Sequence, residues 1–222
     1  MAQAERPTVP HAGRELTDAG SSRPAWLMPV GVLLLLAALA LLIFQFLPRQ
    51  PGDGSPEAGF LRDMARHHSQ AVEMALIIRD RTDDEQLRFM ATDIMLTQQS
   101  EIGMMDGWLR LWDLPLAASE PPMAWMGHPE GERMASQEDV ERLRTLPADE
   151  AEVLFLQLMA RHHYGALDMA QAYLDRGDQE DVSAFAERVI TIQRSEIDLI
   201  NQMLQQRGEE PITGLESGHE EH

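Results

Sequence analysis

The sequence predicts an all-α protein in which one transmembrane helix precedes a four-helix bundle made of two repeated helical hairpins. Three observations carry this expectation. Trp26 to Leu47 is a 22-residue run without a charged side chain. FLRDMARHHSQAVEMA, Phe60 to Ala75, returns as FLQLMARHHYGALDMA, Phe155 to Ala170, with ten of sixteen positions identical. The composition is rich in Leu, Ala, Met, Gln and Glu and holds only two tyrosines, a balance that favours helix over sheet.

In chain order, residues 1–25 scatter Pro, Gly and Ser among charges and read as a short cytoplasmic tail without a core. Residues 26–47 are long enough to cross ~30 Å of hydrocarbon. A cleavable signal peptide has a shorter apolar run and an A-x-A site after it, so the segment reads as an uncleaved anchor. Arg6, Arg14 and Arg23 precede it and Arg49 alone follows closely. This predicts a single-pass cell-membrane protein with its N-terminus in the cytoplasm and its main domain extracytoplasmic. Residues 48–55 form a Pro- and Gly-rich linker.

The bundle is expected over 56–208. Its first helix runs from Pro56 to Asp80. The second starts at Thr82, whose T-x-x-E spacing to Glu85 reads as a capping box, and reaches Trp112. A long connection, 113–148, includes a short helix introduced by Ser136. The third helix runs from Asp149 to Arg176, Gly177 and Asp178 turn the chain, and the fourth helix ends at Gly208. Residues 209–222 read as a disordered tail. The repeat continues into the second and fourth helices: at the same offset, Gln98, Ser100, Glu101, Ile102 and Leu109 match Gln193, Ser195, Glu196, Ile197 and Leu204. One hairpin cannot bury its apolar face alone, so the two are expected to pack about a pseudo-twofold axis.

Composition narrows the chemistry. A formal net charge of −19 argues against a nucleic-acid partner, because phosphate backbones are bound by concentrated Lys and Arg. The absence of cysteine excludes disulfides, thiolate metal sites and thiol nucleophiles. Any metal must be held by His, Met, carboxylate or water.

Glu196 has Val189, Ile192, Leu199, Ile200 and Met203 on its own helical face, and Glu101 has Ile94, Thr97, Met104, Met105 and Trp108. A carboxylate inside an apolar stripe needs a cation, a donor or a metal. His67 and His68 border the inward face marked by Phe60, Met64, Ala71 and Ala75. His162 and His163 do the same beside Met159, Ala166 and Ala170. Four imidazoles and two carboxylates meeting in one core would be a metal-ligand set. The same residues also suit a structural His–Glu network copied with the hairpin, or acid–base catalysis.

Met64, Met74, Met159 and Met169 recur at matched positions. Thioether with imidazole selects copper(I), whereas imidazole with carboxylate suits zinc, iron or manganese; methionine is also ordinary core filler. Met123, Met126 and His128 form a weaker second candidate site, because a Pro-rich loop is expected to bury little. Glu73, Asp168, Arg66 and Arg161 read as solvated surface.

The pattern FLxxMxxHHxxAxxMA followed by QxxEIxxM, present twice, resembles the domain of unknown function 305 family over roughly residues 56–208. The resemblance implies a ferritin-like four-helix bundle, secreted or membrane-anchored, with periplasmic copper binding and resistance in some members. It places the family motif on His67, His68, Glu101, His162, His163 and Glu196, with Met64, Met74, Met104, Met159 and Met169 beside them. The second copy departs from the motif at Leu199 and Met203, where the first has Met104 and Trp108. Ferroxidase activity is not implied, since helical E-x-x-H pairs and four core carboxylates are missing. The expected function is copper sequestration, tolerance or delivery by a membrane-anchored extracytoplasmic protein, with zinc or iron as other ions and an oligomer compatible with the pattern. A non-metal helical interaction module is the alternative, and a metal-dependent redox enzyme the third reading.

Overall fold

The structure is a computed structural model that describes residues 27–46, 50–118, 120–127 and 133–213, with α1 side chains over 29–42. The expectations for the N-terminal tail, Trp26, Leu47, His128 and residues 214–222 lie outside the described residues. All regular structure among the described residues is helical. The chain divides into two compact units, Met1–Arg49 and Gln50–His222.

The first unit contains α1, Leu27–Phe46. Among the described residues no helix is long and apolar enough to cross a membrane. In α1 the side chains described, 29–42, are all exposed.

The second unit holds α2 (Pro56–Arg81), α3 (Glu85–Leu111), a 3-10 turn (Ala124–Met126), α4 (Gln137–Thr145), α5 (Ala148–Leu174) and α6 (Glu180–Gln206). α2–α3 and α5–α6 are hairpins that pack chiefly through α2 against α5, while α3 and α6 meet through side chains such as Trp108 and Phe185, whose rings lie 5.5 Å apart. Local chemistry sets the boundaries. Ser55 accepts the Ala58 N–H with its hydroxyl, and Pro56 fills the first position of α2. α2 stops where Thr82 turns extended, at ψ 142°. Asp84, not Thr82, caps α3: its carboxylate accepts the Gln86 and Leu87 N–H groups at 2.8 and 3.2 Å. The capping-box expectation for Thr82 is therefore corrected. Thr82 instead closes α2 and accepts the Asp84 N–H with its hydroxyl. Ser136 caps α4 as expected, accepting from the Asp139 N–H.

The buried seam of α3 reads Leu87, Ala91, Ile94, Gln98, Glu101, Met105 and Leu109. α6 repeats it at the same offset with Val182, Ala186, Val189, Gln193, half-buried Glu196, Ile200 and Leu204. Steps of three and four keep one face inward, the pattern of packed helices. Two apolar clusters result. One gathers Ala71, Met74, Ile78, Phe155 and Met159; the other gathers Phe60, Met64, Met105, Met169 and Tyr173. The four histidines belong to neither, and form a polar layer between them.

Each end of the bundle is closed differently. At the Phe60 end, Phe60 stacks on Tyr173 at 4.7 Å, and Trp125 of the connection packs edge-on to Phe60 at 5.9 Å. Asp63 holds this segment, accepting from the Met123 N–H at 2.8 Å and Trp125 Nε1–H at 3.0 Å. Trp125 fits because Gly59 lies beneath it: a Cβ there would come within 2.4 Å of the indole. Arg62 donates to the Pro115 carbonyl and to Asp53, tying linker and connection to α2. The other end is covered by α4 through Val140 and Leu143.

A reciprocal clasp joins the hairpins. Glu57, at the head of α2, accepts the Asp178 N–H in the α5–α6 turn at 3.1 Å. Its repeat partner Glu152, near the head of α5, accepts from the Thr82 hydroxyl in the α2–α3 turn at 2.6 Å and from Arg207 at 3.0 Å.

Candidate metal centre

His67, His68, His162 and His163 are all fully buried. They arrange themselves as two carboxylate pairs around a stacked pair. His68 Nε2 lies 2.9 Å from Glu101 Oε2, and His163 Nε2 lies 2.7 Å from Glu196 Oε2, each pair closing its own hairpin. A carboxylate oxygen accepts, so in both pairs Nε2–H is the donor, and a ring in its neutral form then carries its lone pair on Nδ1. The His67 and His162 rings stack across the α2–α5 interface, with centroids 3.6 Å apart and planes at 25°. Each stacked ring is 6.4 Å from the paired ring beside it.

Burial pushes the His162 imidazole well below its usual range, and the neighbouring imidazoles of His67, His163 and His68 push it further the same way. It is neutral, and neutral imidazole is the form that binds metals. Neither ring nitrogen of His162 has a side-chain hydrogen-bond partner, the His67 backbone being the polar group beside it, and Nδ1 of His68 and of His163 has no hydrogen-bond partner. Buried polar atoms of this kind are rare in native cores and need a reason. One reason is an ion.

Among the described residues, no three His, Asp or Glu side chains are arranged around one point as a metal group. Thioethers are close in sequence: Met64 and Met159 sit one turn before His67 and His162 and are fully buried, as are Met74 and Met169. Imidazole with thioether suits copper(I). Met104 differs, standing 39% exposed on the outer side of α3.

The second candidate site fares otherwise. Met123 and Met126 are 1% and 4% exposed and pack into the Phe60 cluster, so the expectation that this loop buries little is overturned. Asp63 and Gly59 on α2 draw the loop inward, which no local composition rule could indicate. Arg66, Arg161, Glu73 and Asp168 are exposed as expected, with Glu73 paired to Arg144 and Asp168 to Arg133.

Two matched glutamines of the repeat also lie in the buried seams beside the carboxylates. Gln98 and Gln193 lie one turn before Glu101 and Glu196 and are each 2% exposed. Both Gln98 amide atoms and Gln193 Oε1 lack a hydrogen-bond partner. The signal was available: a glutamine kept at both copies of an apolar seam, where a hydrophobe is expected.

The profile described as Domain of unknown function (DUF305) matches residues 57–204. Among solved structures, a DUF305 protein from Streptomyces coelicolor, named a "putative secreted protein", is 44% identical with a TM-score of 0.70, over 73% of this chain and 99% of that one. A DUF305 fragment from Deinococcus radiodurans is 32% identical, TM-score 0.62, over 72% and 99%. CopM in its Cu(I)-bound form is 23% identical, TM-score 0.55, over 71% and 99%, a likeness of fold. A 47-residue stretch is 43% identical to Uncharacterized protein L153 of Acanthamoeba polyphaga mimivirus, covering 21% of this chain and 31% of that protein. With the repeated HH and Q-x-x-E positions folded as one layer and the profile spanning most of the bundle, the chain belongs to the DUF305 family.

Proposed function

We propose that this protein binds copper(I) at the histidine layer and serves in its sequestration, tolerance or delivery outside the cytoplasm, held to the membrane by the apolar segment around α1. The observation that carries the reading is the stacked His67–His162 pair, fully buried, in which both ring nitrogens of His162 lack a side-chain hydrogen-bond partner. The donors are the imidazoles of His67, His68, His162 and His163 with the thioethers of Met64, Met74, Met159 and Met169. Glu101 and Glu196 orient His68 and His163 as second partners, as carboxylates do for metal-bound imidazole. CopM, which shares the fold, is known in Cu(I)-, Cu(II)- and Ag-bound forms, and the Streptomyces coelicolor relative's name supports an extracytoplasmic place.

A structural network is the second reading. It is favoured by the two closed His–Glu pairs and by the absence, among the described residues, of a three-ligand His, Asp or Glu group.

Copper(I) titration of the purified protein under reducing conditions separates the two. The copper reading expects stoichiometric binding that His67→Ala with His162→Ala abolishes, and a melting temperature that a chelator lowers. Unchanged binding in the double variant removes the site. A melting temperature lowered by the same substitutions in metal-free protein, with no effect of chelator on the parent, establishes the structural network instead.

A further inference from the structure

The histidine layer is fully buried, so an ion bound there needs a way in. Beside the Trp108–Phe185 contact, α3 and α6 leave an open groove of about 570 Å³ between them. Thr97 and Ile192, matched positions of the repeat, both line it.

One lining residue belongs to the layer itself. Glu101 faces the groove while its Oε2 is 2.9 Å from His68 Nε2. One turn along α3 is Met104, exposed and also lining the groove. The Arg188 guanidinium lies across this mouth, with NH2 4.0 Å from Met104 Sδ and Cζ 5.3 Å from the centre of the Phe185 ring. At the matched positions of the repeat, Leu199 of α6 stands for Met104 and Asp93 of α3 for Arg188, so the equivalent surface lacks the thioether.

We infer that the α3–α6 groove is the inlet of the copper site, with Met104 and Glu101 as the first contacts of the incoming ion and Arg188 as its movable cover. A soft cation meets the exposed Met104 thioether first and then the buried Glu101 carboxylate beneath it, which joins that point to His68 by one hydrogen bond. Arg188 opposes it twice, by occupying the sulfur and by placing a positive charge where the cation arrives. The ion must displace the arginine, which slows loading without changing the final ligands.

This rests on the copper reading, and the experiment keeps the two apart. Silver(I), a redox-stable d10 ion, is mixed with the full-length purified protein, and uptake is followed by tryptophan fluorescence in stopped flow. Met104→Leu, which copies Leu199 at an exposed site, is expected to slow loading at least tenfold with stoichiometry unchanged. Arg188→Gln is expected to speed it severalfold and to weaken its dependence on ionic strength. Uptake by the wild type with unaltered rates in both variants overturns the inlet and leaves the copper site standing. A wild type that takes up no silver and no copper overturns both, and lost stoichiometry in Met104→Leu makes Met104 a resident ligand and overturns its role as a first contact.

Discussion

In the α2–α3 hairpin His68 meets Glu101 at 2.9 Å; in the α5–α6 hairpin His163 meets Glu196 at 2.7 Å. The seams around the two pairs match position for position, down to a buried glutamine one turn before each carboxylate. The residues around those seams do not match. α2 carries Gly59, Arg62 and Asp63 where α5 carries Leu154, Gln157 and Leu158. Those three α2 residues hold the linker and the connection against the bundle. The comparison teaches that the layer depends on both halves staying alike, while the surfaces that receive the intervening chain could diverge.

Substitutions that make the halves alike, or unlike, test this. The largest effect is expected from Gly59→Leu, which gives α2 the residue of α5. Its Cβ would meet the Trp125 indole at 2.4 Å, and the displaced ring should destabilise the fold by about 3 kcal/mol in urea denaturation. A shift in tryptophan emission should accompany it. Next come Glu101→Ala and Glu196→Ala. Each strands a fully buried imidazole, at about 1–3 kcal/mol. Matched halves predict similar losses; a loss confined to one variant would break the equivalence of the two pairs.

Acid should act through His162, whose folded value lies well below the ordinary 6.5 because of burial. Above that ordinary value both folded and unfolded rings are neutral and the group contributes nothing. As pH falls below it, the unfolded chain takes up a proton that the folded ring refuses. Stability then declines by up to about 1.4 kcal/mol per pH unit, until the folded value is reached. His162→Gln should flatten this part of the profile, measured as melting temperature against pH in metal-free protein.

The smallest effect is expected at the clasp. Glu152→Ala loses contacts with Thr82 and Arg207 and should cost about 2 kcal/mol, whereas Glu57→Ala loses one backbone N–H and should cost about 1 kcal/mol. Equal losses would mean that Arg207 adds nothing to the Glu152 end.

Much of this was legible in the sequence, for physical reasons that differ by element. Helical faces repeat every three or four residues, so the α3 and α6 seams and the inward placement of Glu101 could be read directly. The His–Glu pairing followed from the penalty on a buried carboxylate. The cap of α3 was misread because Thr82 and Asp84 are both good capping residues, and only the extended turn between the helices selects Asp84. Met123 and Met126 were illegible because their burial depends on Asp63 and Gly59, some sixty residues away. The stacking of His67 on His162 rather than on a carboxylate likewise depends on how two helices meet.

The clasp has a consequence for how the two halves stay together. Glu57 reaches the turn of α5–α6 and Glu152 reaches the turn of α2–α3, so each half completes the other by the same exchange that relates subunits of a twofold dimer. The peptide between 113 and 136 is thus one tether among several, and a chain cut there would remain assembled as a complementing pair of fragments.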